Sequence, residues 1–212
     1  MNLPNKLTVL RMFLIPLFLI FMIFPFTFPY GELVSRVLAA AVFVGTAITD
    51  YWDGHLARKY GLITDFGKFL DPLADKMMVL GAMLGLLVLF APDTSLSGSI
   101  FLKFLAISSF LVLFRELAVT SLRLAASGSG GVVIAANKLG KVKTVTQIVF
   151  VMVALLEPVV FGWFFRWLWA PLGYVSDWHI LSYASMLVMA VMTVWSGFAY
   201  FKAYFPLINS NK

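Results

Sequence analysis

Apolar residues recur along this chain in six long runs: Leu7–Phe28, Leu33–Lys59, Phe69–Phe90, Ser99–Ala126, Lys143–Phe165 and Ile180–Phe205. Each run is long enough to cross about 30 Å of hydrocarbon at a rise of about 1.5 Å per residue. Helices are the form available to them, because lipid offers no partners to open backbone groups. Breakers separate the runs: Pro29 and Gly31 after the first, Pro92 and Gly98 after the third, Ser127–Gly131 after the fourth. The pattern predicts an all-α integral membrane protein of six transmembrane helices, one domain over residues 1–212, with no internal repeat. Lys6 and Arg11 precede the apolar stretch Met12–Tyr30 in the manner of a signal peptide. No small-residue cleavage site follows, so the stretch is expected to be a retained first helix.

Composition agrees. The chain is 61% apolar and 12% charged, where soluble domains are about half apolar and a quarter charged. It has no cysteine, which excludes disulfides, thiolate nucleophiles and Cys-bound zinc. The net charge of +6 could suggest nucleic acid. Its distribution points instead to a lipid bilayer and no nucleic acid. With the N-terminus in the cytoplasm, all sixteen Lys and Arg except Arg36, Lys103 and Arg166 fall on the cytoplasmic side. Both termini are therefore expected to be cytoplasmic. Trp163, Trp167, Trp169 and Trp178 fall in the opposite loop and read as belt anchors.

The basic side also carries Asp50, Asp53, Asp65, Asp71, Asp75 and Glu116. From Leu33 to Asp50 the helix rises roughly 26 Å, which places Asp50 at the cytoplasmic rim of the hydrocarbon. Asp71 and Asp75 begin the next helix from that rim. At about 100° per residue, Asp50, Asp53, Gly54, Ala57 and Arg58 share one helix face, and Gly67, Asp71 and Asp75 form a second stripe. Four converging carboxylates resist ionisation unless something neutralises them. Divalent cations, which take oxygen ligands, are the apt partner, and two of them about 4 Å apart clamp a phosphoryl displacement. Gly54, Ala57 and Gly67 leave room for a diphosphate, and Arg58 supplies a fixed cation.

Together these residues read Asp50-x-x-Asp53-Gly54-x-x-Ala57-Arg58, eight residues, then Gly67-x3-Asp71-x3-Asp75. That resembles the signature of the CDP-alcohol phosphotransferase family at every fixed position. The segment from Pro4 to Arg11, the triplet Ala74-Asp75-Lys76, and Arg115, Glu116, Arg123 and Gly140–Thr144 resemble members of the family that use glycerol-3-phosphate. The resemblance implies a six-helix bundle acting as a homodimer in a bacterial inner membrane, with its active site on the cytoplasmic face. It implies transfer of the phosphatidyl group of CDP-diacylglycerol to glycerol-3-phosphate. Asp50, Asp53, Asp71 and Asp75 would hold two divalent cations, Mg²⁺ or Mn²⁺, and Asp75 would be the general base. Asn5, Thr8, Gly54, Ala57, Arg58 and Gly67 would shape the CDP site. Arg115, Arg123, Lys141 and Lys143 would bind the acceptor phosphate.

Other readings stay open. The signature does not exclude inositol phosphate, inositol or serine as acceptor. A divalent-cation transporter would also bury carboxylates, although near the midplane. An intramembrane prenyltransferase would carry other Asp spacings. His179 is expected in the outer loop with no visible partner, Glu157-Pro158 as a helix irregularity near the outer rim, and Glu116 as partner of a nearby Arg or Lys. The chain after Phe150 carries no motif.

Overall fold

A computed structural model describes residues 2–60, 64–128, 138–161 and 179–209. The outer-loop tryptophans Trp163, Trp167, Trp169 and Trp178, with Arg166, lie outside the described residues. Among the described residues the architecture is all-helical: α1 Leu3–Ile23, α2 Gly31–Tyr60, α3 Asp65–Phe90, α4 Leu96–Gly128, α5 Lys138–Val159 and α6 Ile180–Asn209. All six are long and apolar enough to cross a membrane.

The apolar runs locate the helices, and local chemistry sets their ends. Pro4 suits the first turn of α1, where the missing N–H is not needed. The helix stops at Ile23 rather than at Phe28. Phe24 precedes Pro25 and has left the helical region, at φ −119° and ψ 74°. Pro16 lies inside α1, as lipid-embedded helices allow. α3 begins four residues before Phe69, because the Thr64 side chain caps it by accepting a hydrogen bond from the Gly67 N–H. Gly98 breaks nothing. It lies in the first turn of α4, with its N–H donating to Ser95 Oγ at 2.9 Å.

α1 packs on α2 and α3, α2 also on α5, α3 on α4 and α5, and α6 on α4 and α5. The core runs the length of these seams. Ile15, Phe18 and Met22 of α1 meet Phe43 and two alanines of α2, with the Phe18 and Phe43 rings 5.2 Å apart. Ala39, Ala40, Ala82 and Ala154 are fully or almost fully buried. Small residues there let backbones approach, as packing without a hydrophobic drive between helices requires. The outward faces carry Phe13, Leu84, Phe110, Trp195 and Phe198, each more than half exposed. In water such a surface would aggregate; around a transmembrane bundle it is the face lipid covers.

Candidate active site

Thr8 and Arg11 lie one turn apart on α1 and are both buried. The Arg11 guanidinium reaches across to α2, pairing with Asp50 at 2.5 Å and also with Asp53. The Thr8 hydroxyl donates to Asp71 of α3 at 2.8 Å and lies 3.3 Å from Asp53. The first helix thus ties together carboxylates from the next two. Arg11 is 0% exposed, Asp53 5% and Asp50 44%, so the cluster is closed at Asp53 and open at Asp50. A guanidinium with no access to water is tolerated only when paired, which these two carboxylates provide.

Asn5, a further turn back, is also buried. Its Oδ1 accepts a hydrogen bond from the Thr64 hydroxyl at 3.0 Å, and Thr64 in turn caps α3 through Gly67. A Cβ on Gly67 would stand 3.1 Å from Asn5 Oδ1 and 3.3 Å from Thr64 Oγ1. The bare backbone at 67 therefore lets the ends of α1 and α3 meet. Asp75 is half-buried one turn beyond Asp71. It lies close enough to feel Asp50 and Arg11 on one side and Lys143 and Glu116 on the other.

Those last two residues belong to a second cluster, built by α4, α5 and α6. Glu116 is buried and accepts from Lys143 and, at 3.2 Å, from Arg115. Arg115 also donates to Ser196 Oγ at 2.6 Å. Arg123 donates to the Tyr200 hydroxyl at 2.9 Å. Both guanidinium carbons lie over the Tyr200 ring, 5.4 Å from its centroid for Arg115 and 5.0 Å for Arg123. Two cations, Arg115 and Lys143, thus pair with one buried carboxylate, and Arg123 joins Arg115 over the Tyr200 ring.

Of the residues expected at the site, Asn5, Thr8, Asp50, Asp53, Gly67 and Asp71 come together directly, with Asp75 at their edge. Gly54 follows Asp53 on α2. Ala57 and Arg58 lie on the same helix, with side chains outside the described residues. Arg115, Arg123 and Lys143 come together around Glu116 and Tyr200. Lys141 does not join them. It is exposed while Lys143 is buried, since two residues along a helix turn the side chain by about 200°.

Arg11 differs most from the sequence reading, in which it is a cytoplasmic-side charge and the end of the Pro4–Arg11 segment, with no role at the site. Thr64, Ser196 and Tyr200 were not singled out at all. The signal for the last two is a helical stripe: Ser182, Met186, Met189, Thr193, Ser196 and Tyr200 are all buried at alternating steps of four and three. Polar members of such a stripe inside a span mark a site or an interface. His179, expected without contacts, is buried against Phe90 and Phe101 at ring centroids 5.1 and 4.8 Å away. Glu157 binds the start of α6, accepting from the N–H groups of Leu181 and Ser182 at 2.9 and 2.8 Å. Glu116 pairs as expected.

The donor set fits a divalent cation in kind. Carboxylate oxygens are the ligands Mg²⁺ and Mn²⁺ prefer, and one guanidinium does not balance four acids. Among the described residues, no three His, Cys, Asp or Glu side chains stand together closely enough to hold a metal. Arg11 spans two of the four carboxylates instead.

The family model described as CDP-alcohol phosphatidyltransferase matches residues 1–195. A CDP-diacylglycerol–glycerol-3-phosphate 3-phosphatidyltransferase of Bacillus subtilis is 42% identical over 166 residues, 76% of this chain and 79% of that protein. Proteins of the same name from Pseudomonas fluorescens and Pectobacterium atrosepticum are 32% identical over 217 residues and 35% identical over 204. The first alignment spans 100% of this chain and 94% of the relative, the second 95% and 94%. The chain belongs to the CDP-alcohol phosphatidyltransferase family.

Proposed function

We propose, with that membership as premise, that this chain transfers the phosphatidyl group of CDP-diacylglycerol to sn-glycerol-3-phosphate, giving phosphatidylglycerophosphate and CMP. One observation carries the reading: an acid cluster and a basic cluster meet at Asp75. A reaction between a metal-bound diphosphate and a phosphorylated alcohol needs that pairing.

A free hydroxyl of glycerol-3-phosphate forms a bond to the phosphorus that bears diacylglycerol. The bond from that phosphorus to the bridging oxygen of CMP breaks, and the hydroxyl proton passes to the Asp75 carboxylate. Asp75 needs only hydrogen-bond reach of the hydroxyl to do this. Asp50, Asp53, Asp71 and Asp75 would hold two divalent cations, Mg²⁺ or Mn²⁺. Such ions stabilise negative charge on the attacking and leaving oxygens. Asn5, Thr8, Gly54, Ala57, Arg58 and Gly67 shape the CDP side, and the absent side chain at Gly67 keeps the approach open. Arg115, Arg123 and Lys143 hold the acceptor phosphate through charge-assisted hydrogen bonds, and Lys141 adds a cation at the exposed rim. Holding both partners in line supplies much of the rate.

The soluble acceptor and the Lys and Arg distribution both favour a cytoplasmic active site, with both termini on that side of a bacterial inner membrane. One domain over residues 1–212 belongs to the same reading. A homodimer does too, on the family resemblance alone.

The test is an acceptor screen with purified protein, CDP-diacylglycerol and Mg²⁺ or Mn²⁺, read as CMP release. Glycerol-3-phosphate is expected to support release, EDTA to stop it, and inositol phosphate, inositol and serine to give little. Faster release with any of those three would replace the acceptor assignment.

A further inference from the structure

At the opposite end of the bundle from the acid cluster lies a cavity of about 440 Å³. α1 and α3 end beside it, and α2 and α6 begin there. Its wall includes Ile23, Glu32, Arg36, Phe90, Asp93 and His179. Neither the proposed transfer nor the packing uses it.

Two of its side chains are buried with unmet hydrogen-bonding capacity. Arg36, 8% exposed, gives Nε and Nη2 to Glu32 at 3.1 and 2.9 Å and lies 5.4 Å from the centre of the Phe90 ring. Its Nη1 is buried and has no hydrogen-bond partner among the described residues. His179, 6% exposed, has two buried ring nitrogens without hydrogen-bond partners among the described residues, and Asp93 Oδ2 stands off at 3.7 Å. Buried groups of this kind are satisfied in most proteins, so an unmet set facing a cavity points to something that completes it.

The charges select what that is. Glu32 and Asp93 present carboxylates to the same space. A hydrogen bond from the Ser95 side chain, opposed by partial burial, holds the Asp93 carboxyl below its ordinary range, so it is ionised. Burial holds His179 below its ordinary range and therefore neutral. Glu157 is already engaged with the start of α6. A bare anion would meet Glu32 and Asp93, and a bare cation would leave the Arg36 edge unpaired. A phosphate joined to a primary ammonium satisfies both. The cavity lies at the ends of the spans Asn5–Ile23 and Phe69–Phe90 and the start of Gly31–Gly54. Met22, Val88 and Leu89 line its apolar side. That is the depth of lipid head groups.

We infer that this cavity binds the phosphoethanolamine head group of a membrane lipid in the leaflet remote from the acid cluster, with phosphate on Arg36 and His179 and ammonium on Asp93 and Glu32.

The test uses the full chain in nanodiscs of equal phosphatidylethanolamine, phosphatidylcholine and phosphatidylglycerol, with retained lipid read by native mass spectrometry. Wild type is expected to keep phosphatidylethanolamine about tenfold over phosphatidylglycerol, the ratio about 1.4 kcal/mol sustains. Phosphatidylcholine, whose quaternary ammonium donates no hydrogen bond, is expected to be retained less. Asp93→Asn, a change at a partly exposed side chain, should erase the preference and leave CMP release unchanged; Arg36→Met should lose the lipid. Equal retention of the three lipids by wild type, or an unchanged preference in Asp93→Asn, would overturn the inference. So would binding of free phosphoethanolamine in detergent with no retained lipid. Preferential retention of phosphatidylglycerol would mark a plain anion site and overturn it equally.

Discussion

The two clusters that meet at Asp75 are built on opposite plans. In one, the Arg11 guanidinium pairs with two carboxylates, Asp50 and Asp53 of α2, and the Thr8 hydroxyl links Asp53 to Asp71 of α3, with Asp75 one turn beyond. In the other, Arg115 and Lys143 pair with Glu116, and Arg123 joins through Tyr200, whose ring both arginines share. Each cluster has one counter-ion, which fixes its geometry, and an excess of the other sign. A buried charge excess is costly unless a ligand of opposite sign arrives. The acid cluster therefore suits cations and the basic one phosphate, and the counter-ion in each keeps the empty arrangement folded.

The largest expected break in that comparison is at the junction. Asp75→Asn is expected to lower CMP release by about 10³-fold, in the range of a lost general base. The protein should still elute as a folded species on size exclusion. Normal turnover would separate the two clusters mechanistically. Next comes the counter-ion of the acid cluster. Arg11→Met leaves Asp53 buried without its partner and is expected to cost about 3 kcal/mol of stability. Thermal unfolding in detergent checks this, and added Mn²⁺ should recover part of the loss. An unfolding midpoint equal to wild type would show that the acids do not depend on Arg11.

The basic cluster should respond in affinity rather than stability. Arg115→Ala is expected to raise the KM for glycerol-3-phosphate about 10- to 100-fold, the range of a charged hydrogen bond. The KM for CDP-diacylglycerol should scarcely move. Equal losses for both substrates would mean the clusters do not divide the substrates between them. The smallest effect is expected from Tyr200→Phe, which keeps the ring under both guanidiniums and removes the hydroxyl that accepts from Arg123. A rise of about threefold in the acceptor KM is expected from one neutral acceptor lost. A rise as large as that of Arg115→Ala would make Tyr200 a direct phosphate ligand.

Much of the acid cluster was legible in the chain. Spacings of three and four residues put Asp50 beside Asp53 and Asp71 beside Asp75 on any helix, whatever surrounds them. Gly67 was legible for a related reason, since a bare position amid carboxylates marks a close approach. Arg11 was not, because its partners are 39 and 42 residues away and nothing local separates a buried arginine from one anchoring a helix at the rim. Lys141 and Lys143 read as a pair in the chain, but helical phase turns one to the surface and buries the other. The stop of α1 at Ile23 is set by Pro25, which lies inside the apolar run and ends the helix before Pro29. α6 carries no motif in the chain, although Thr193, Ser196 and Tyr200 recur at helical steps along one buried face.

By itself the chain determined six helices and the residues each presents together. Rise, turn and the intolerance of lipid for open backbone are local physics that no packing alters. The tertiary structure decided which of those faces meet. Only packing brought Arg11 to Asp50 and Asp53, Lys143 to Glu116 and Arg123 to Tyr200. The reason is that lipid-facing and partner-facing surfaces are alike in apolarity, so contacts follow the fit of small and large side chains between helices. That fit exists only once the helices stand side by side.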